Sequence, residues 1–437
     1  LEKAEILEGV LNYERKILKP KKFVPYETPV PVSGSILSPE DIANLVETAL
    51  TGWVTEGQQC AEFSQKLKKY TGIHHCVLCN SGSSANLLAM SALIDKYQVP
   101  KNSLVVTSAL AFQTTIAPII QKGMIPLFVD VDWHTLNPDV NLLMDLAERK
   151  DVKGIIIAHT LGFPIRKMEL VANYYHERGK FVIEDCCDAL GACVDDKNHV
   201  GVFGDAATFS FFPAHQLTTG EGGAVLTNDG KLFAVLRSYC NWGRDCWCKP
   251  GEENTCGKRF DWDFPKLPSH FDHKYVITKI GYNLKMTDMQ AAIGNSQINR
   301  ISEIIRERLG NYYYLLDGFK DIPNFTKTFY VVHETEPMFT SSPFGVPVIC
   351  MPGVVERADL ISFLDKRKIQ TRPLFTGNIT KHPMMQHVNY ESHGALSGCD
   401  TIMEHAFWLG CHLELSLAQL DFVLQSFDDY LVKLWKK

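Results

Sequence analysis

The chain has 437 residues, 45% of them hydrophobic and 22% charged, a balance that suits a large globular core and most simply two domains. A formal charge of −6 argues against nucleic acid or an anionic membrane as the main partner, and no run of ~18 apolar residues is present to form a membrane-spanning helix. Thirteen cysteines, an odd number with no secretory signal, point to reduced thiols in a cytoplasmic setting rather than to a disulfide framework.

Residues 1–20 carry a charged helical pattern unlike a signal peptide, and a Pro-rich arm follows. "SPEDIANLVETAL" opens a helix with Ser38 as N-cap and Pro39 in the first turn. From 75 to 230 strands and helices alternate. "CVLCNSGSSANLLAMSALIDKY" predicts a short strand, a small-residue turn and a helix. "SLVVTSA", "IPLFVDVD", "VKGIIIAH" and "FVIEDCCDA" predict strands, separated by helices at "TTIAPIIQKG", "LLMDLAERK" and "KMELVANYYHERG"; "TFSFF" and "AVLTN" close the series as strands. That βαβ rhythm predicts a mainly parallel sheet in a three-layer α/β/α domain, with ligands beyond the carboxyl ends of its strands. Residues 240–275 are irregular and rich in Cys, Trp, Gly and Pro. The stretch 287–319 then reads as a long helix leading into a smaller α+β domain, with strands at "PVICMP" and "IQTRPLF" and helices at "RADLISFLDKR" and "LAQLDFVLQSFDDYLVKLW". The expected organisation is a helix and arm over 1–37, a large domain over 38–295 that includes the Cys-rich segment, and a linking helix with a small domain over 296–437.

Four features carry chemistry. Gly82, Ser83 and Ser84 lie where a strand turns into a helix, which makes an anion site or a plain N-cap turn. Asp185 ends a buried apolar strand, where an acid is costly unless it meets a cation; a protonated pyridine nitrogen is one such cation, and a salt bridge or a helix cap is the alternative. Phe112 follows a strand end and either lies against a flat ring or packs in the core. Finally, "TFSFFPAHQLTTGEGGAV" sends a strand into a turn and back along a Gly-rich return, which presents His215 at the mouth of a site.

In this order, these features resemble the sugar aminotransferase family, pyridoxal-phosphate enzymes of the aspartate aminotransferase fold (fold type I). The family's presented residue is a lysine that bonds the cofactor, and an imidazole cannot do so. The resemblance therefore implies non-covalently held pyridoxamine phosphate, with His215 free as a base near neutral pH. The exchange of His for Lys resembles the sugar 3-dehydrases, which remove the C3 hydroxyl of nucleotide-linked 4-keto-6-deoxy sugars. "GYNLKMTDMQAA" is a further match. It implies that Asn283 reaches the phosphate of a neighbouring subunit in a homodimer, and that Ser210 contacts the same phosphate. Asp188 stands where the aminotransferases often carry a Gln near the ring hydroxyl.

Cys246, Cys248 and Cys256 are separated by one and seven residues, and Cys187 lies fifty-eight intervening residues before them. This spacing resembles the branch of CDP-4-keto-6-deoxyglucose 3-dehydrases that carries a [2Fe-2S] cluster. It implies four thiolate ligands and an NAD(P)H-dependent flavin or iron–sulfur reductase as electron source. A structural zinc also takes four thiolates, although CxxC knuckles are absent. Cys186 and the scattered Cys60, Cys76, Cys79, Cys350, Cys399 and Cys411 read as core residues. His159, at another strand end, is a site-lining or a core histidine. His273, Lys274 and Arg372 are candidates for the sugar nucleotide, Arg being suited to diphosphate, with surface charge as the alternative. The expected reaction is C3 dehydration of a CDP-linked or related sugar towards a 3,6-dideoxy sugar. The rivals are a cluster-free, glutamate-dependent dehydratase and a non-catalytic scaffold with structural zinc.

Overall fold

A computed structural model gives the architecture and describes residues 2–17, 22–34, 37–195, 198–333 and 340–436; parts of the expected arm, 18–21 and 35–36, lie outside them. Strands β1 (His75–Cys79), β2 (Leu104–Ser108), β3 (Ile125–Val129), β4 (Val152–Ala158), β5 (Phe181–Asp185), β6 (Ala206–Ser210) and β7 (Gly223–Thr227) form one sheet. Its order is β1-β7-β6-β5-β4-β2-β3, and only β7 runs antiparallel to its neighbours. The sheet is mainly parallel, as the alternating pattern predicts. Strands such as β5, buried at all five positions, are apolar runs because helices cover both faces.

A second, antiparallel sheet pairs β8 (Phe329–Val331), β9 (Val346–Cys350) and β11 (Ala406–Leu409) in the order β11-β9-β8. Helices Ile301–Lys320 and Leu417–Trp435 pack on it through an aromatic cluster in which Phe319 stacks on Phe325 at 4.5 Å and meets Phe427 at 4.9 Å. Burying each such ring contributes about 1.5–3 kcal/mol. Two segments cross between the sheets' sequence regions. Val30 in the arm exchanges backbone hydrogen bonds with Lys368 and Gln370, and β10 (Glu391–Ser392) adds to the main sheet beside β3.

The expected strand over 369–375 is not formed. Ile369 and Arg372 make single bridges, to Val30 and Trp408, so each end of the segment joins a different neighbour. The long helical stretch divides into Asp288–Gln297 and Ile301–Lys320, joined by the short 3₁₀ turn Ile298–Arg300. Helix Pro39–Leu50 begins as expected, with Ser38 and Asp41 in a reciprocal capping box. No helix among the described residues is long and apolar enough to cross a membrane.

Candidate active site

The last residues of β4, β5 and β6, namely Ala158, Asp185 and Ser210, open into one cavity of 630 Å³. It lies at the carboxyl ends of parallel strands, where βα connections leave room for a ligand. The C-terminal part of the chain contributes Phe344, Phe375 and Trp408 to its wall, and helix Gly82–Lys96 aims its N-terminus into it.

Asp185 is 4% exposed. Its Oδ2 accepts hydrogen bonds from Asn86 Nδ2 (2.8 Å) and Thr115 Oγ1 (2.7 Å), and its Oδ1 accepts from the Cys187 amide (3.1 Å). Thr208 Oγ1 stands 3.3 Å from Oδ1, but its single proton has a closer acceptor in Asn86 Oδ1 at 2.6 Å. Oδ1 therefore keeps acceptor capacity towards the cavity. These partners are neutral, and among the described residues no cation pairs with Asp185. A buried carboxylate held by neutral donors favours a ligand cation opposite it.

Ser81 caps helix Gly82–Lys96 by accepting from the Ser84 amide at 3.1 Å, and Ser83 Oγ donates to Thr114 Oγ1 at 3.1 Å. The first amides of a helix have no intrahelical partner and attract anions. Gly82 is required by close approach: a Cβ there would stand 2.5 Å from Ser210 Cβ and 3.0 Å from Cys187 Sγ. Gly82→Ala is accordingly expected to cost about 1–3 kcal/mol of stability and to weaken binding of pyridoxal phosphate, read as a lowered Tm and a raised Kd in absorbance titration. Phe112 keeps 45% of its surface exposed at the cavity and meets Phe375 edge-on at 6.0 Å. The cofactor implied by the resemblance fits this donor set: helix amides and hydroxyls for a phosphate, an unpaired carboxylate for a pyridinium, and an aromatic face beside them.

His215 sits in the connection between β6 and β7, its amide donating to Phe212 O at 3.0 Å. The fully buried Arg308 fixes this turn from beneath. Its Nη2 donates to Ala214 O and His215 O, both at 3.0 Å, and its Nη1 to Phe344 O at 3.3 Å. The His215 side chain is only 12% exposed, packs edge-on against Phe344 at 5.0 Å, and has its Nδ1 3.8 Å from Asp188 Oδ1. Burial, with the Arg308 charge, pushes the imidazole down to about 3. In the chain alone, desolvation therefore keeps the ring uncharged. Burial, with Asp185 nearby, pushes Asp188 up to about 8. Arg372 lies on the same cavity, and among the described residues its guanidinium meets no carboxylate, Nη1 donating to Thr371 O at 2.9 Å.

Other candidates lie elsewhere. His159 is fully buried, with Nε2 3.1 Å from Glu184 Oε2 and Nδ1 accepting from the Ile165 amide at 3.0 Å. Both ring nitrogens are used, so it is a core histidine and not a lining one. His273 and Lys274 are not at the sugar cavity: both line a separate small pocket with Cys246, Cys248 and Cys256. His273 bonds Asp245 at 2.7 Å and stacks on Trp262, while Lys274 pairs with Glu253 at 3.2 Å. Asn283 lies outside its own chain's cavity and accepts from Lys285 Nζ at 2.6 Å.

The expected four-thiolate set is not assembled. Cys187 lines the large cavity, whereas Cys246, Cys248 and Cys256 surround the small one, and among the described residues no three Cys, His, Asp or Glu are gathered at metal-binding spacing. The four-thiolate sets expected for a [2Fe-2S] cluster or for a structural zinc are therefore not formed among the described residues. Against the effect of burial, hydrogen bonds to Thr255 hold the Cys248 thiol below its ordinary value. Cys186 is fully buried in the core, as expected. Asn86, Thr115 and Arg308 give no sequence signal, because they reach the site from distant helices whose local patterns are ordinary.

A model of the DegT/DnrJ/EryC1/StrS aminotransferase family matches residues 36–428. The chain is 40% identical over 433 residues to the lipopolysaccharide biosynthesis protein RfbH of Salmonella typhimurium, covering 98% of this chain and 97% of that one. It is 38% identical to a dTDP-4-dehydro-2,6-dideoxy-D-glucose 3-dehydratase of Saccharopolyspora spinosa, covering 99% and 92%. Among solved structures, E. coli GDP-4-keto-6-deoxy-D-mannose-3-dehydratase with bound hydrated PLP superposes with a TM-score of 0.80 at 26% identity, covering 91% of this chain and 98% of that one.

Proposed function

The chain belongs to the DegT/DnrJ/EryC1/StrS aminotransferase family, and from that premise we propose that it removes the C3 hydroxyl of a nucleotide-linked 4-keto-6-deoxyhexose with non-covalently held pyridoxamine phosphate. One observation carries the reading. The residue that the β6–β7 connection brings to the cavity shared with Asp185 is an imidazole, and among the described residues no lysine lines it. Transamination in this fold needs that lysine; dehydration needs a base that leaves the cofactor free. The names of the two sugar dehydratases above support the same class.

In this reading the Gly82–Ser83 amides and Ser210 hold the phosphate, Phe112 lies on the ring, and Asp185 pairs with the ring nitrogen and keeps it protonated. Bound there, pyridoxamine phosphate supplies an amine for the C4 ketone and a ring able to accept electrons. His215 takes a proton within the cavity and returns one to the departing hydroxyl, since hydroxide is a poor leaving group without it. Phe344, Phe375 and Trp408 keep water from the reacting face, and Arg372 meets the diphosphate. Asn283 is assigned to the partner's phosphate in a homodimer. RfbH is named for lipopolysaccharide biosynthesis, which agrees with a product destined for surface polysaccharide.

The test is an assay with CDP-, GDP- and dTDP-linked 4-keto-6-deoxy sugars, with glutamate in one arm and an NAD(P)H-driven reductase in the other, followed by NMR. Loss of the C3 oxygen from at least one sugar is expected. Recovery of every sugar unchanged, or an amino sugar as the sole product, would overturn the proposal.

A second reading adds an iron–sulfur centre and its reductase. It is favoured by three thiols on one small pocket, one of them with lowered basicity, but it requires Cys187 to join thiols that here line a different pocket. In this reading Cys248→Ser loses iron, acid-labile sulfide and visible absorption from anaerobically purified protein. An identical spectrum and iron content in the variant would end it.

A further inference from the structure

One part of the cavity wall comes from outside both sheets. Ser33 lines the cavity, and it belongs to the Pro-rich arm. Alternate arm residues sink into the core that holds β9 and β11, Val30 at 4% and Val32 at 2% exposure. An extended chain turns successive side chains to opposite sides, so Ser33 faces away from that core. Polar groups hold the arm step by step. Pro29 O accepts from Gln419 Nε2 at 3.2 Å, Val30 bridges Ile369 in parallel, Pro31 O accepts from His412 Nε2 at 3.2 Å, and the Val32 amide donates to Gln370 Oε1 at 3.4 Å. The arm also lies hard against the end of β11: a Cβ at Gly410 would stand 2.6 Å from Pro31 O and 2.7 Å from Val32 O.

The parallel bridge sets the register of the two segments. Ser33 lies three residues beyond Val30, and Arg372 lies three residues beyond Ile369; both line the cavity. Arg372 is fixed in turn by its own bridge to Trp408. Among the described residues the Ser33 hydroxyl makes no hydrogen bond, and the Arg372 guanidinium meets no carboxylate. Both keep donors for a ligand. Glu221, in the β6–β7 connection, also lines the cavity, and its charge disfavours an anion on that side, which leaves the arm side for one.

We propose that Ser33 is a substrate-positioning residue, and that its hydroxyl and the Arg372 guanidinium together hold the diphosphate of the nucleotide-linked sugar. The proposal rests on the dehydratase reading, whose substrate carries that group. A guanidinium meets two phosphate oxygens at once, and a hydroxyl donates to a further one. The guanidinium alone supplies charge but lets the diphosphate swing about a single side chain. A second donor on a separate segment fixes its direction, and with it the direction in which the sugar enters the cavity. The arm thus brings a substrate contact to the site as well as packing on the second sheet.

The test measures binding of CDP, GDP and dTDP to protein loaded with pyridoxamine phosphate, by calorimetry. Wild-type protein is expected to bind at least one of the three. Ser33→Ala should weaken that binding about 2- to 10-fold. Ser33→Asp should weaken it by at least about 30-fold, because a carboxylate there repels phosphate and takes up the Arg372 charge. Ser33→Thr, which keeps the hydroxyl, should stay within about twofold of wild type. The Ser33 side chain bonds nothing in the chain, so the Tm of all three variants should match wild type. With a sugar that turns over, the loss in Ser33→Asp should fall on KM rather than on kcat. Failure of all three nucleotides to bind wild-type protein, or equal affinity in wild type and Ser33→Asp, would overturn the proposal. If affinity falls in Ser33→Asp and no sugar is dehydrated, the diphosphate site stands and the functional reading fails. If a sugar is dehydrated and its KM is unchanged in Ser33→Asp, the diphosphate site fails and the functional reading stands.

Discussion

Replacing His215 by lysine is expected to lower dehydration by about 10²–10⁴-fold, the range that a positioned acid–base group contributes. The cavity wall around residue 215 is rigid: Arg308 holds its carbonyl at 3.0 Å, and Phe344 packs on the ring. The longer side chain is thus delivered to the same place rather than to solvent. A lysine in this desolvated setting, beside the Arg308 charge, is driven towards its neutral form. A neutral amine there bonds the aldehyde form of the cofactor, which removes it from the sugar. Two measurements check this. Loss of the C3 oxygen followed by NMR gives the rate, and the absorbance of the protein-bound cofactor reports the new covalent link. Turnover equal to wild type would refute the assignment of His215 as the proton carrier.

The parts legible in the sequence are those whose cause is local. An acid that ends an apolar run marks the carboxyl end of β5, and the turn at Gly82 is set by the residue types on either side of it. The strand-turn-return around His215 is equally local. Position along a strand is a poorer guide, because it does not tell which face a side chain takes. Asp185 and Glu184 are adjacent on β5, and successive residues of a strand point to opposite faces. Asp185 faces the cavity, while Glu184 turns away to accept from the Gly201, Phe203 and Gly204 amides. His159 follows Glu184 and not Asp185, so a strand-end histidine that reads as site-lining is committed to the core. Burial would raise the Glu184 carboxyl, but His159 and those amides outweigh it and hold it below its ordinary value.

The cysteine spacing meets a related limit. Spacing describes the chain between Cys246 and Cys256 well, and the structure does gather those three on one pocket. It says nothing about where a residue fifty-nine positions earlier is carried by the sheet. Cys187 is placed by β5, which delivers it beside Asp185 and under Gly82. The same holds for His273 and Lys274. Their charge suits a role with diphosphate, yet the loop that carries them folds back on Asp245 and Glu253. The support of the site is silent in the sequence for the same cause, since Asn86 and Thr115 reach Asp185 across 99 and 70 residues of chain.

Asp185→Asn is expected to lower affinity for the B6 phosphate by about 100- to 4000-fold, and turnover with it. The carboxylate has only neutral donors and, among the described residues, no cation, so its charge is matched only when a pyridinium nitrogen is bound. Removing one member of a buried ion pair costs about 3–5 kcal/mol, and each 1.4 kcal/mol is a factor of ten. The amide does further harm. Its NH₂ group points either at the donors Asn86 Nδ2 and Thr115 Oγ1 or at the Cys187 amide, and donor meets donor in each orientation. A buried donor left unmatched costs about 1–3 kcal/mol, so the free protein also loses stability by that amount. Thermal unfolding with and without pyridoxal phosphate separates the two effects. The Tm of each protein alone reports the lost stability, whereas the ligand-induced rise in Tm belongs to the binding step. That rise should be large in the wild type and nearly absent in the variant. An equal rise in both would show that the ring nitrogen does not depend on Asp185.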